Sequence, residues 1–483
     1  MSSNKLEVIV NLDMKHFLRC LSVIIVTFER SYFGSSLTIT ITTNKHQQAS
    51  HFTRIAQSHS VALYAVKKAK KQSVNAAGLK GFGAVVSTST TSTSNENEIA
   101  LQIDIDRSRP TLSFYESSLQ QSSIASENFK RTALAYTYSG IIQPDTFKLR
   151  GVVTTRDVPK GNDLISIPYE MAIDLGPEGN DPTIPALLFL KDYCSVLSSG
   201  NAINDDVTKR KLYYYHMLPT YDSPDCRGCT NFFTEEALNA LQCPYIIHET
   251  NQCKLQIRER YEQEILLHQQ KDQESGNIDP SRLWIDGVTP ISMEHLTWAV
   301  WIITSRVLTV QTGTNDNNDD VRPVQYRRLL IPYLDMCNHD RTSIHVLTGR
   351  ATRGGLLRIV AGSNTKTGTP IEICYGGGQS GNDRFLQEYG FLDTNNDAYR
   401  MVAMDLLGQK RRGTSDSGYR SLQDRTDCIQ ALRTTTLLED ENLLLSLQSN
   451  DETNASNDTN IKVAIQYRIG VKKALQELNG EQW

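Results

Sequence analysis

Hydrophobic and polar positions divide the chain into stretches of different period, and from Leu134 onward the pattern is that of a folded body. Gly151-Val152-Val153, then Asp157-Val158-Pro159-Lys160-Gly161, then Leu164-Ile165-Ser166-Ile167-Pro168 are β-branched runs parted by a Pro-Lys-Gly-Asn turn. That pattern predicts strand, turn, strand. Residues 183–196 carry Leu187, Leu188, Leu190 and Tyr193 near helical spacing, and residues 209–310 read as mostly helical. Within them Phe233-Thr234-Glu235-Glu236 fits a helix start with Thr234 as its cap. Residues 255–270 are charged and amphipathic, and 292–310 are strongly apolar, with Ser292 and His295 at the head. Short strands are expected at 329–331, 356–360 and 371–375, with one more at 99–105. Beyond Asp393 the pattern is helical to the end, broken by a polar Asn/Asp/Ser loop at 449–459.

Charge adds a boundary that periodicity does not. The chain has 483 residues and a formal net charge of −4. Residues 1–95 hold 11 Lys/Arg against 3 Asp/Glu, so the remainder is strongly acidic. The leader includes Lys67-Lys68-Ala69-Lys70-Lys71 and a Ser/Thr run at 87–94. Such composition belongs to organelle transit peptides or to an unstructured tail without an address. Met14-Lys15-His16-Phe17 followed by an apolar stretch also resembles a short secretory segment. Localisation is accordingly expected in a plastid or other organelle, otherwise cytoplasmic or nuclear.

Several classes are excluded. No apolar run approaches the roughly 20 residues a bilayer requires, so no membrane partner is expected. An acidic body is a poor nucleic-acid binder. Nine cysteines are too sparse for a disulfide scaffold and point to a reducing compartment.

The densest chemistry is Pro332-Tyr333-Leu334-Asp335-Met336-Cys337-Asn338-His339, a strand running into a compact set of carboxylate, amide and imidazole. Asp335 and His339, four apart, suit either a metal pair or a capped turn. Next comes Cys374-Tyr375-Gly376-Gly377-Gly378, which lacks the Gly-Lys-Ser/Thr of a phosphate loop, and then Glu388-Tyr389-Gly390-Phe391. Asp316, Asn318 and Asp320 have calcium-loop spacing, but Val321 and Arg327 stand where Gly and Glu are required. Cys226 and Cys229, with Cys243 and Cys253 downstream, fit no common zinc spacing, and no metal is assigned.

Taken together, in this order and spacing, these motifs resemble the SET-domain protein methyltransferases. The 150–161 segment is similar to the family's first strand pair, and 298–306 to the helix ending in Arg before the catalytic core. Tyr215-His216-Met217-Leu218-Pro219 is similar to a landmark of the branch typified by the Rubisco large-subunit lysine methyltransferase and the actin histidine methyltransferase. Residues 435–441 and 465–475 resemble that branch's helical substrate-binding domain.

The resemblance implies an α+β protein. It has a knotted SET β-fold at 134–392 with a helical insertion at about 178–300, and a C-terminal helical domain at 393–483. A leader (1–95) and a transitional segment (96–133) precede these. It implies S-adenosylmethionine as cofactor and a protein or peptide substrate, with a monomer as the default. Lys148, Leu149 and Arg150 would contact the cofactor through their backbone, and Arg306 would face its carboxylate. Asp335, Asn338 and His339 would hold its amino group and adenine, and Tyr389, Gly390 and Phe391 would wall the adenine and the channel. Tyr375 would supply the catalytic hydroxyl. Read without the family, Arg306 is also a fitting C-terminal cap for its helix, and His339 and Tyr389 are ordinary core residues. The histidine-methylating relative carries Asn where Leu308 falls and a smaller residue where Tyr389 stands, so lysine is the expected acceptor. Histidine, or a SET-fold interaction module without activity, is the alternative. The module is suggested by Gly377-Gly378-Gln379-Ser380-Gly381-Asn382, which separates a Ser-Asn pair the family keeps together.

Overall fold

The computed structural model describes residues 8–10, 22–31, 34–43, 51–53, 131–137, 149–199, 205–275, 284–285, 289–312, 325–409, 421–449 and 457–483. The chain divides into two compact units, Met1–Ser60 and Val61–Trp483. In the first, strands β1 (Val8–Val10), β2 (Ser22–Ser31), β3 (Gly34–Thr43) and β4 (His51–Thr53) pair in that order as an antiparallel sheet. The alternation of Thr with Leu and Ile along β3 is the local reason for its strand. The boundary expected near 95, the strand expected at 99–105 and the Asn/Asp loop at 313–320 lie outside the described residues.

The larger unit mixes small sheets with helices. Its first strands are β5 (Thr132–Thr137), β6 (Leu149–Thr154), β7 (Asp163–Pro168) and β8 (Ile173–Pro177). Helices α1 (Thr183–Ser199), α2 (Asp206–Met217), α3 (Glu235–Ala240), α4 (Pro244–Tyr261) and α5 (Leu267–Ser275) follow. After the small hairpin of β9 (Trp284–Ile285) and β10 (Thr289–Pro290) comes α6 (Met293–Arg306). Strands β11 (Leu308–Thr312), β12 (Gln325–Leu330), β13 (Asn338–His339), β14 (Val346–Gly349), β15 (Leu356–Val360) and β16 (Pro370–Ile373) come next. The chain ends with α7 (Asn396–Leu406), α8 (Leu422–Leu432), α9 (Leu437–Ser449) and α10 (Asn457–Asn479).

Local signals set several of these limits. The Thr234 hydroxyl accepts the Ala237 N–H at the head of α3, and the Ser292 N–H donates to His295 Nδ1 at 3.1 Å at the head of α6. Long-range pairing corrects one expectation. The strands before and after the Pro-Lys-Gly-Asn turn do not pair with each other: β6 joins the sheet β13-β16-β6-β5, whereas β7 joins β14-β15-β7. The reason is that the chain between them is held by 361–369 instead. Val158 and Thr365 exchange backbone bonds at 2.8 Å, and the Thr154 N–H donates to Thr369 O at 3.0 Å.

Two cores result. One packs α1 and α6, through Phe189, Leu190, Trp298 and Ile302, against Leu164, Ile167, Leu329 and Tyr333. The other joins Phe233, Leu238 and Ile246 to Leu386 and Leu392 and to Val402, Leu432, Tyr467 and Leu475 of the C-terminal helices. A fully buried Asp440 pins that end, taking Arg468 Nη2 at 2.7 Å and Lys472 Nζ at 2.6 Å, while Arg468 Nη1 donates to Ala240 O in α3 at 2.8 Å. No helix of the described residues is long and apolar enough to cross a membrane.

Candidate active site

Strand β13 runs parallel to β16, with Asn338 opposite Glu372 and His339 opposite Ile373. This pairing brings the 333–339 segment to the end of β16, where Tyr375 follows. Between β12 and β13 the chain reverses through Tyr333, a buried non-glycine residue at φ 73°, into a tight turn over Leu334–Met336. A left-handed tyrosine costs about 1–2 kcal/mol, which the packing around its buried ring has to offset. The turn exposes the Cys337 carbonyl to Tyr375, whose hydroxyl donates to it at 2.6 Å.

His339 is fixed from both sides of its ring. The Tyr375 N–H donates to Nδ1 at 3.0 Å, so Nδ1 carries no proton, and Nε2–H donates to Asp393 Oδ2 at 3.3 Å. Burial raises the Asp393 carboxyl, but the bonds from His339, from the Asn395 N–H and from Arg341 outweigh it and leave it below the usual range. The Tyr375 phenol is pushed up by burial, so its hydroxyl stays protonated and able to donate.

Aromatic rings pack against the Tyr375 ring. Tyr389 stacks on Tyr375 with centroids 4.9 Å apart, and Phe385 stacks on Phe391 at 5.1 Å, with His339 4.6 Å from Phe385. Residues Phe385–Tyr389 form a π-helical turn, closed by Gly390 at φ 88°. Such a turn leaves its last carbonyls without helical partners, and other elements supply them. Cys229 Sγ donates to Gln387 O at 2.9 Å, Thr304 Oγ1 to Glu388 O at 3.1 Å, and Trp301 Nε1 to Tyr389 O at 3.1 Å. The Tyr389-Gly390-Phe391 segment is therefore hung from α6 and from the Cys226–Cys229 loop.

Arg306, last residue of α6, donates from Nη1 to Asp335 O at 3.2 Å and lies 3.8 Å from Asp335 Oδ2. The Asp335 side chain is fully buried and also receives the Tyr214 hydroxyl at 2.7 Å. The guanidinium carbon sits 5.7 Å from the Trp301 ring, and Arg306 Nε is buried with no hydrogen-bond partner among the described residues. A buried donor without an acceptor costs about 1–3 kcal/mol. It fits an anionic group that the described residues do not provide.

Of the residues singled out from sequence, Arg306, Asp335, His339, Tyr375, Tyr389 and Phe391 meet around this turn, and Asn338 joins through its β13 pairing. Leu149 and Arg150 open β6, their backbones paired with Thr137 and Tyr136. Because β6 and β16 are antiparallel, that end of β6 lies toward Tyr375. Lys148 lies outside the described residues. Sequence reading did not single out Arg341, Asp393, Tyr214 or Trp301, since isolated polar or aromatic residues carry no local pattern. The four cysteines considered for zinc go to separate partners. Cys226 Sγ meets Ser223 O at 3.2 Å, Cys229 meets Gln387 O, Cys253 accepts Asn231 Nδ2 at 3.4 Å, and Cys243 lies 3.6 Å from Cys428. Burial holds Cys226 up at about 11 and Cys229 at about 12, both as thiols.

No protein-family model and no curated protein matches the chain. Among solved structures it is similar to the SET domain of LSMT bound to methyllysine and AdoHcy, with a TM-score of 0.44 at 16% identity over 77% of this chain and 91% of that one. It is also similar to Rubisco LSMT bound to sinefungin and monomethyllysine, with a TM-score of 0.42 at 15% identity over 77% and 91%. At these values the likeness leaves the roles of individual residues to their own chemistry.

Proposed function

We propose that the chain is an S-adenosylmethionine-dependent protein N-methyltransferase of SET architecture, with a lysine side chain as acceptor. The observation that carries this reading is the Tyr375 hydroxyl, protonated, bonded to the Cys337 carbonyl and walled by Tyr389. In this reading the parallel β13–β16 pair is where the knot of the fold forms, and α7–α10 are the substrate-binding helices.

S-adenosylmethionine, when bound, supplies a sulfonium methyl group. Arg306 would receive its carboxylate on the free Nε, and Asn338, His339 and Phe391 would line its base. The acceptor nitrogen must be an uncharged amine, because an ammonium has no lone pair. An aromatic, desolvated channel disfavours the ammonium and so assists. The Tyr375 hydroxyl and the Cys337 carbonyl sit as a fixed dipole pair beside the nitrogen's approach. They hold its orientation and stabilise the charge that develops at the methyl carbon, without reorganising. Tyr389 narrows the channel against Tyr375, which suits a slender alkylamine better than an imidazole.

The test is calorimetric titration with S-adenosylhomocysteine, together with transfer of labelled methyl into lysate protein and mass spectrometry of the product. Tyr375→Phe should keep the affinity for S-adenosylhomocysteine and lower transfer about 10²–10³-fold, as for loss of one transition-state donor. Neither binding nor transfer by the wild-type chain would leave the inactive-module reading standing. Methyl groups found on histidine would refute lysine.

A further inference from the structure

The loop that follows Tyr375 departs most from the family pattern. Gly376, Gly377 and Gly378 all have positive φ, at 62°, 58° and 77°. Three successive left-handed residues are accessible to glycine alone at low cost, and glycine loses the most chain entropy on ordering. The loop has no strand partner, and its own backbone bonds are short-range, Gly377 N–H to Cys374 O and Gln379 N–H to Gly376 O. Something else must hold it.

Arg341 does so with every nitrogen it has. Nη1 donates to Gly378 O at 2.8 Å, Nη2 to Ser380 O at 2.6 Å and Nε to Asp393 Oδ2 at 2.7 Å. The side chain is 7% exposed and lies 5.5 Å from the Phe385 ring. Asp393 is fixed in turn by Asn382, which donates to its carbonyl at 3.0 Å and accepts its N–H at 2.7 Å. From Asp393 the bonds continue to His339 and to the Tyr375 amide. The loop thus leaves Tyr375 along the backbone and returns to it through Arg341, Asp393 and His339.

We infer that Arg341 is a positioning residue: its guanidinium fork clamps the glycine loop and, through Asp393 and His339, sets where Tyr375 stands. The bland reading is a buried arginine that merely neutralises Asp393. One edge of the guanidinium would suffice for that, whereas here both terminal nitrogens go to uncharged loop carbonyls. Lysine brings the same charge without the planar fork, so charge and clamp are separable.

Only the kinetic arm of the test rests on the methyltransferase reading. Arg341→Lys, in the full chain, should retain the wild-type circular dichroism spectrum. Its amide hydrogen exchange should accelerate at 377–381 and at Tyr375, with α6 and β7 unchanged. Turnover with lysate protein as acceptor should fall about 10²-fold, the scale of an ångström's misplacement. The KM for S-adenosylmethionine should change less than turnover does, because Arg341 reaches the cofactor site only through Asp393 and His339. Methylguanidinium added to Arg341→Ala should restore loop protection and part of the turnover. Wild-type exchange in the loop of Arg341→Lys, or a fully active Arg341→Ala, overturns the clamp. Should Arg341→Ala not fold, the exchange of Arg341→Lys decides alone. A wild-type protein without methyl transfer would refute the reaction and leave exchange to decide the clamp.

Discussion

Gly228 lies against Gly390 so closely that a Cβ built at 228 would fall 2.0 Å from the Gly390 carbonyl oxygen. The neighbour is backbone, so no side chain can turn aside. Gly390 itself closes the π turn at φ 88°, and a Cβ there would meet Cys229 N at 2.7 Å. Each glycine therefore permits the other. Gly228→Ala should destabilise the fold by about 2–3 kcal/mol through overpacking. Gly179→Ala, with nothing within 4 Å of the new carbon, is the control and should lie within about 0.5 kcal/mol of wild type. Denaturant unfolding of both variants checks this, and equal midpoints would refute the contact.

Arg306 offers the second test. Its buried Nε has no acceptor among the described residues, and its Nη1 is already engaged by Asp335. Arg306→Met should weaken S-adenosylhomocysteine by about 1.5–3 kcal/mol, roughly ten- to a hundredfold in Kd, the value of a hydrogen bond to a charged group. Stability should fall as well, because the variant leaves the buried Asp335 carboxylate without its cationic neighbour. Calorimetry measures the first effect and thermal melting the second. Undiminished affinity would return Arg306 to the role of a plain helix cap.

Glu372 stands opposite Asn338, and burial, then the neighbouring Asp340, pushes its carboxyl up to about 7. The folded chain consequently holds a proton there that the unfolded chain releases at its ordinary value of 4.5. Below that lower value both states are protonated and nothing changes. From there up to about pH 7 only the unfolded chain has released the proton, which favours unfolding, so stability falls by at most about 3 kcal/mol and levels off once the folded chain releases it too. Glu372→Gln should lose this fall. Urea midpoints at pH 5 and pH 8 decide it, and equal slopes for both proteins would exclude Glu372 as the cause.

What sequence made legible, and what it hid, divides by range. Helix α6 was legible because its cap, its apolar stripe and its terminal Arg306 are all local features. Asp335, His339, Tyr375 and Tyr389 were legible as a set of residue types. Their meeting depends on β13 pairing in parallel with β16 across more than thirty residues, and no periodicity encodes that. Long-range pairing also explains why β6 and β7, read as neighbours across a turn, belong to different sheets. Arg341 and Asp393 were missed because their meaning lies in each other. An arginine after an aspartate and an aspartate after a leucine look like surface until the chain folds them together.

The core shared by α3, the start of α4 and the C-terminal helices has a consequence in time. Phe233, Leu238 and Ile246 are buried by Val402, Leu432, Tyr467 and Leu475. During synthesis these apolar residues leave the ribosome long before their partners do. At about 5–20 residues per second the interval is on the order of ten seconds or more. For that interval the middle of the nascent chain presents a greasy surface with nothing of its own to cover it. Completion of the last helix, not of the segment that carries Tyr375, ends that exposure.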